Sequence, residues 1–109
     1  MITTHVLDTA LGRPAAGLLV TLELREGADW RPIGTGATDA DGRLGTLTPG
    51  AVAAGVYRIS FDTGAYFARA GTAGFYPEVR IVFEVRDAAA HFHVPWLLSP
   101  FGYSTYRGS

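Results

Sequence analysis

The sequence predicts an all-β sandwich with one short helix, and three observations lead there. Apolar and polar residues alternate with period two along most of the chain, turn signals of known mechanism separate the alternating runs, and only one segment has apolar residues at near-helical spacing. At 109 residues there is room for one domain. No linker, repeat, charge block or low-complexity stretch divides it, so residues 1–109 are taken as one unit.

The elements follow in order. Ile2 to Leu7 is expected to be a strand, with Ile2, Thr4 and Val6 on the more core-like face and Thr3, His5 and Leu7 opposite. Beyond the turn Leu11-Gly12-Arg13-Pro14, the core set Leu18, Val20, Leu22 and Leu24 alternates with Leu19, Thr21, Glu23 and Arg25. Trp30 to Thr38 reads as the next strand. The turn Asp39-Ala40-Asp41-Gly42 then leads into Arg43 to Leu47, where Arg43 and Gly45 face outward if Leu44 faces the core. After Pro49-Gly50, Tyr57, Ile59 and Phe61 alternate with Arg58, Ser60 and Asp62. Thr63 to Ala70 breaks the alternation and is expected to be helical, with Thr63 as N-cap and Gly71 beyond the end. Val79, Ile81, Phe83 and Val85 against Arg80, Val82, Glu84 and Arg86 make the clearest strand, rich in β-branched and aromatic residues on the inward face. In His91 to Leu98 the core face is Phe92, Val94, Trp96 and Leu98, which turns His91, His93, Pro95 and Leu97 outward. Tyr103 to Arg107 completes a set of about eight strands, a spacing that suits a sandwich.

Composition bounds the function. The chain is 48% hydrophobic and 17% charged, and the low charged fraction hints that part of the surface is covered by self-association. A chain of this size buries roughly 65% of its unfolded surface, so an active site would be shallow or shared between copies. All nine cations are arginine and ten carboxylates balance them, giving a net charge of -1 and arguing against nucleic acid or an anionic membrane as partner. With no cysteine there is no disulfide, thiolate nucleophile or zinc ribbon. Neither a leader pattern nor an apolar span is found, and the expectation is a soluble, cytoplasmic protein. Phosphate loops and dinucleotide fingerprints are absent, so no organic cofactor is implied.

Chemistry then rests on few residues. By strand parity His5, His91 and His93 all face away from the core, and Arg43 can join them on one outer face. Singly, each is ordinarily a solvated side chain. Together they supply a base that titrates near pH 6.5 and a planar fork of donors that is always charged. The His91-x-His93 spacing also permits a zinc site, with His5 as third ligand and a position left for water. A serine triad is disfavoured: there is no Gly-x-Ser-x-Gly elbow, and serine occurs only at positions 60, 99, 104 and 109.

Four segments carry a resemblance that covers essentially the whole chain. They are Thr4-His5-Val6-Leu7-Asp8-Thr9 with Gly12-Arg13-Pro14-Ala15; Phe75-Tyr76-Pro77-Glu78-Val79; His91-Phe92-His93-Val94-Pro95 with Leu98-Ser99-Pro100; and the terminal Tyr103-Ser104-Thr105-Tyr106-Arg107-Gly108-Ser109. These resemble the 5-hydroxyisourate hydrolases, transthyretin-like enzymes of urate breakdown. The terminal Tyr-Arg-Gly-Ser is the most specific part, because transthyretin, the hormone carrier of the same fold, lacks it and lacks the histidines. The resemblance implies a transthyretin-like sandwich of two four-stranded sheets with a short helix, assembled as a homotetramer, a dimer of dimers with sites between subunits. It implies metal-free hydrolysis of 5-hydroxyisourate to 2-oxo-4-hydroxy-4-carboxy-5-ureidoimidazoline. Catalytic roles fall by resemblance on His5, Arg43, His93 and Ser109, and substrate contacts on His5, Arg43 and Tyr106, with His91 in support. Phe92 stands where tyrosine is common and Trp96 where a smaller aliphatic residue is usual. Two alternatives remain open at this point, a transthyretin-like small-ligand carrier without turnover and a zinc-dependent hydrolase using the three histidines.

Overall fold

A computed structural model describes residues 1–109. Its elements are β1 (Ile2–Asp8), β2 (Arg13–Pro14), β3 (Leu19–Glu26), β4 (Asp29–Ala37), β5 (Arg43–Leu44), β6 (Gly55–Phe61), α1 (Thr63–Arg69), β7 (Val79–Val85), β8 (Phe92–Ser99) and β9 (Gly102–Thr105). Two sheets face each other, the first in the order β2-β1-β8-β9, with β5 also paired to β1, and the second in the order β4-β3-β6-β7. The expected two four-stranded sheets hold in width. The difference is that β2 and β5 share the outer position of the first sheet, β2 beside Leu7 and Asp8, β5 beside Thr4 and His5. The second sheet is wholly antiparallel, whereas β1 and β8 run parallel from Ile2 opposite Phe92 to Asp8 opposite Leu98.

The alternation read from the sequence places the core. Leu18, Val20, Leu22, Ile59, Phe61, Val79, Val85, Trp96 and Leu98 are almost completely buried within one continuous apolar cluster. Trp96, the unusual large residue, lies at its centre with its ring 4.6 Å from that of Phe61 and 6.0 Å from that of Tyr103. Its indole N–H has no partner, and leaving such a group unpaired costs about 1–3 kcal/mol. The apolar area that an aromatic ring of this size removes from water, roughly 200 Å² at about 25 cal/mol per Å², outweighs that loss.

The helix begins one residue earlier than the sequence indicates. Asp62, not Thr63, is the N-cap, its carboxylate accepting from the Ala65 N–H at 3.0 Å. Thr63 is fully buried and donates to the Tyr76 carbonyl at 2.6 Å, so its hydroxyl serves the core. On the inner side of the helix Tyr66 donates to the buried carboxylate of Asp8 at 2.8 Å, while the other Asp8 oxygen accepts from the N–H groups of Ala10 and Leu11. Burial first and then this carboxylate push the Tyr66 phenol up to about 12, so it stays a donor and ties α1 to the end of β1. No helix is long and apolar enough to cross a membrane.

Candidate active site

Arg43 owes its position to the turn before it. The Asp39 carboxylate accepts from the N–H groups of Asp41 and Arg43 at 2.9 and 3.0 Å, closing an Asx turn in which Gly42 takes φ +73°. At Gly42 a Cβ would also run into the Val6 carbonyl, so glycine is required twice over. The turn delivers Arg43 opposite His5 on β1, and β1 in turn carries Thr3 opposite His93 and His5 opposite Pro95 on β8. Three segments distant in sequence thus bring their outward residues to one surface.

The tail reaches the same surface. Trp96 pairs with Thr105, and the register survives to an isolated bridge between His93 and Gly108, whose N–H donates to the His93 carbonyl at 2.9 Å. Between these points lies Pro95, which has no N–H to give, so the ladder opens there. Gly108 lies against the imidazole so closely that a Cβ on it would sit 2.6 Å from the His93 Cδ2. The guanidinium of Arg107 over the Phe92 ring, at 4.9 Å, anchors the segment from the other side.

The result is a cleft of about 470 Å³ lined by Thr3, Thr4, Arg43, Leu44, Gly45, His91, His93 and Ser109. Leu44 is its only hydrophobic lining residue, and no carboxylate side chain lines it. Four ion pairs form in the molecule, Arg31–Glu26, Arg58–Glu23, Arg80–Glu78 and Arg86–Glu84, and Arg43 is in none of them. The Thr3 hydroxyl lies 2.8 Å from Nδ1 of His93 and 3.0 Å from Nε2 of His91. Burial holds the His93 imidazole below its ordinary pKa of 6.5, helped by the charges of Arg43, His5 and His91. At pH 7 it is therefore mainly neutral and able to accept a proton.

Of the residues expected from the sequence, Arg43, His91, His93 and Ser109 line this cleft. His5 lies beside it, half-buried and paired across the ladder with Arg43. Tyr106, 61% exposed, lines a different groove of about 270 Å³ at the edge of the sandwich, with Ile81, Val82, Phe83, Phe92 and Arg107; His93 borders both. Thr3 was assigned no function from the sequence; its signal was its place two residues before His5 on the same face. His5, His91 and His93 do not gather into a set able to hold a metal ion, since His91 Nε2 and His93 Nδ1 both turn onto Thr3.

An imidazole kept neutral at pH 7 and an unpaired guanidinium, borne on the outside of a two-sheet sandwich, give this small β-protein a proton acceptor and a fork of donors in one cleft, groups that acyl transfer to water can use. The chain belongs to the HIUase/Transthyretin family, whose model matches residues 2–108. It is 51% identical over 114 residues to 5-hydroxyisourate hydrolase 2 of Rhizobium meliloti, covering 99% of this chain and 95% of that one. The structure of Klebsiella pneumoniae 5-hydroxyisourate hydrolase superposes with a TM-score of 0.88 at 41% identity, over 99% of this chain and 98% of the other. Sea bream transthyretin in complex with thyroxine superposes as well, with a TM-score of 0.89, but at 32% identity over 98% and 93%. Backbone shape does not separate the hydrolase from the thyroxine-bound protein. Function is therefore argued from the side chains of the site and not from the fold.

Proposed function

We propose that this chain hydrolyses 5-hydroxyisourate, opening its six-membered ring to give 2-oxo-4-hydroxy-4-carboxy-5-ureidoimidazoline in purine catabolism. The observation that carries this is the unpaired Arg43 in one polar cleft with a neutral His93. The oxygen of a water molecule bonds to the ring carbonyl carbon while His93 takes the water proton. The ring C–N bond then breaks, and the leaving nitrogen takes the proton back from His93. A positioned base of this kind is worth roughly a hundred- to ten-thousand-fold in rate. Arg43 binds the imide-like edge of the substrate and stabilises the negative charge that develops on the carbonyl oxygen. His5, next to Arg43 on the ladder, orders the water, and Ser109 binds substrate from the tail side.

The cleft is open on its outer side, where Arg43, His91 and Ser109 are exposed. A homotetramer built as a dimer of dimers closes it, each cleft finished by a neighbouring copy, and Tyr106 of a neighbour reaches substrate that its own cleft does not offer it. Support comes from Leu97, 38% exposed on this face, and from Val82 and Tyr103, 57% and 43% exposed along the sandwich edge. The protein acts in the cytoplasm without a metal or organic cofactor. The test is the ultraviolet decay of freshly generated 5-hydroxyisourate with purified protein, with and without a chelator. Decay no faster than in buffer overturns the activity, and decay abolished by the chelator overturns the metal-free mechanism. Sedimentation equilibrium checks the assembly, and a fully active monomer overturns the shared site.

A further inference from the structure

The Thr3 hydroxyl is the one side-chain group bonded to both His93 on β8 and His91 just before that strand. The two rings stand 6.5 Å apart at 70°, so the hydroxyl and not ring stacking connects them. Thr4, its neighbour on the opposite face, spends its hydroxyl on the Val94 carbonyl at 2.7 Å, an ordinary structural use. Thr3 has no backbone partner for its hydroxyl; both contacts are to histidine nitrogens.

A hydroxyl has one proton to give and lone pairs to accept with. We propose that Thr3, backed by His91, is a positioning residue for the hydrolysis: Thr3 Oγ1 accepts the Nδ1–H of His93 and donates its own proton to Nε2 of His91. That order leaves Nε2 of His93 unprotonated, the nitrogen that takes the water proton. Free imidazole in water favours the opposite Nε2–H form, so a base that works through Nε2 has to be held against its own preference. In many hydrolytic sites a carboxylate does this and stabilises the imidazolium as well. A neutral hydroxyl fixes the tautomer without adding negative charge, and the groups whose charges act on His93, namely Arg43 on β5, His5 on β1 and His91 two residues before it, all hold its pKa down, with Glu84 of β7 across the edge groove. The base therefore stays both correctly oriented and unprotonated at neutral pH.

This assignment rests on His93 being the base of the proposed hydrolysis, and its test has a readout apart from activity. Nitrogen-15 NMR of the labelled protein should show His93 with a protonated Nδ1 and a bare Nε2. In Thr3→Val, which keeps the shape and β-propensity of the side chain, the pattern should move toward Nε2–H. The accompanying fall in kcat should be roughly tenfold, a part of what a positioned base supplies. KM should stay within about twofold, because substrate contacts are untouched. Thr3→Ser should restore both the nitrogen pattern and kcat. His91→Leu should shift the pattern in the same direction by less, and His91→Gln, which keeps an acceptor near the Nε2 position, should restore it. A wild-type His93 protonated on Nε2, an unchanged pattern in Thr3→Val, or a loss confined to KM overturns the assignment. If the wild-type protein does not hydrolyse 5-hydroxyisourate, the proposed function falls, and the role for Thr3 in hydrolysis falls with it, while the nitrogen pattern still shows whether the hydroxyl sets the tautomer.

Discussion

The outer faces of the two sheets use arginine in opposite ways. All four ion pairs of the molecule belong to β3, β4, β6, β7 and their flanks, and Arg58 is held twice, by Glu23 at 2.8 Å and by the Trp30 ring at 4.4 Å. On the other sheet Arg43 has no side-chain carboxylate as partner and shares its cleft with imidazoles. Paired charge solubilises a face and is spent in doing so. An unpaired guanidinium beside a neutral imidazole keeps its donors for a ligand and its field for the base. A carboxylate placed here would neutralise the one and raise the pKa of the other.

The strongest way to break this contrast is to remove the two groups of the cleft in turn. His93→Ala should lower kcat/KM by roughly a hundred- to ten-thousand-fold in the 5-hydroxyisourate decay assay, the range a positioned base supplies. Next in size is Arg43→Gln, with an expected loss of roughly a hundred- to a thousand-fold for a missing oxyanion donor. That variant also has a signed pH effect. His93 acts unprotonated, so the acid limb of kcat/KM follows its pKa, which burial and Arg43 hold below 6.5. Removing the guanidinium lifts one of these causes, and the limb should move to higher pH. A limb that stays in place would mean that Arg43 does not face the base.

Much of this site was legible because strand parity is a rigid rule. Once Phe92, Val94, Trp96 and Leu98 are read as core, His91 and His93 have nowhere to point but out, and the same holds for His5 against Ile2 and Val6. Arg43 was legible because Asp39 to Gly42 announces its own turn. The meeting of β1, β5 and β8 was not, since pairing across 90 residues leaves no local trace in the chain, and with it the bond from Thr3 to His93 stayed hidden. Tyr106, expected at the substrate by resemblance, lies just past the end of β9. Registered opposite Pro95, it leaves the regular ladder where proline cannot donate and turns to the groove at the sandwich edge. At Thr63 two capping residues stand side by side, Asp62 and Thr63, and propensity alone does not choose between them. Packing chose: the threonine methyl and hydroxyl fit the core, and the carboxylate stays outside.

Gly108 sharpens the contrast at intermediate size. Gly108→Ala puts a methyl against the His93 ring, which must tilt or push the tail away. Displacing a reacting group by an ångström costs up to about a hundredfold, and kcat should fall by roughly ten- to a hundredfold with thermal stability nearly unchanged. Melting far below the wild-type temperature would instead make the tail a structural clasp.

The smallest effect is the most diagnostic of the second sheet. Glu23→Gln frees Arg58 from its carboxylate and gives that face an unpaired guanidinium like Arg43 on the other. If unpaired arginine alone made a site, the variant would gain one. It should gain nothing, because no histidine stands on that sheet and the Trp30 ring still covers the guanidinium. Hydrolysis should match wild type. Stability should drop by about 0.5–1 kcal/mol in urea unfolding, the worth of a partly exposed ion pair, and less at high salt. A loss of activity here would show that the two faces are coupled through the core, since β3 and β6 bear on Phe61 and through it on Trp96, two residues along β8 from Val94 and three from His93.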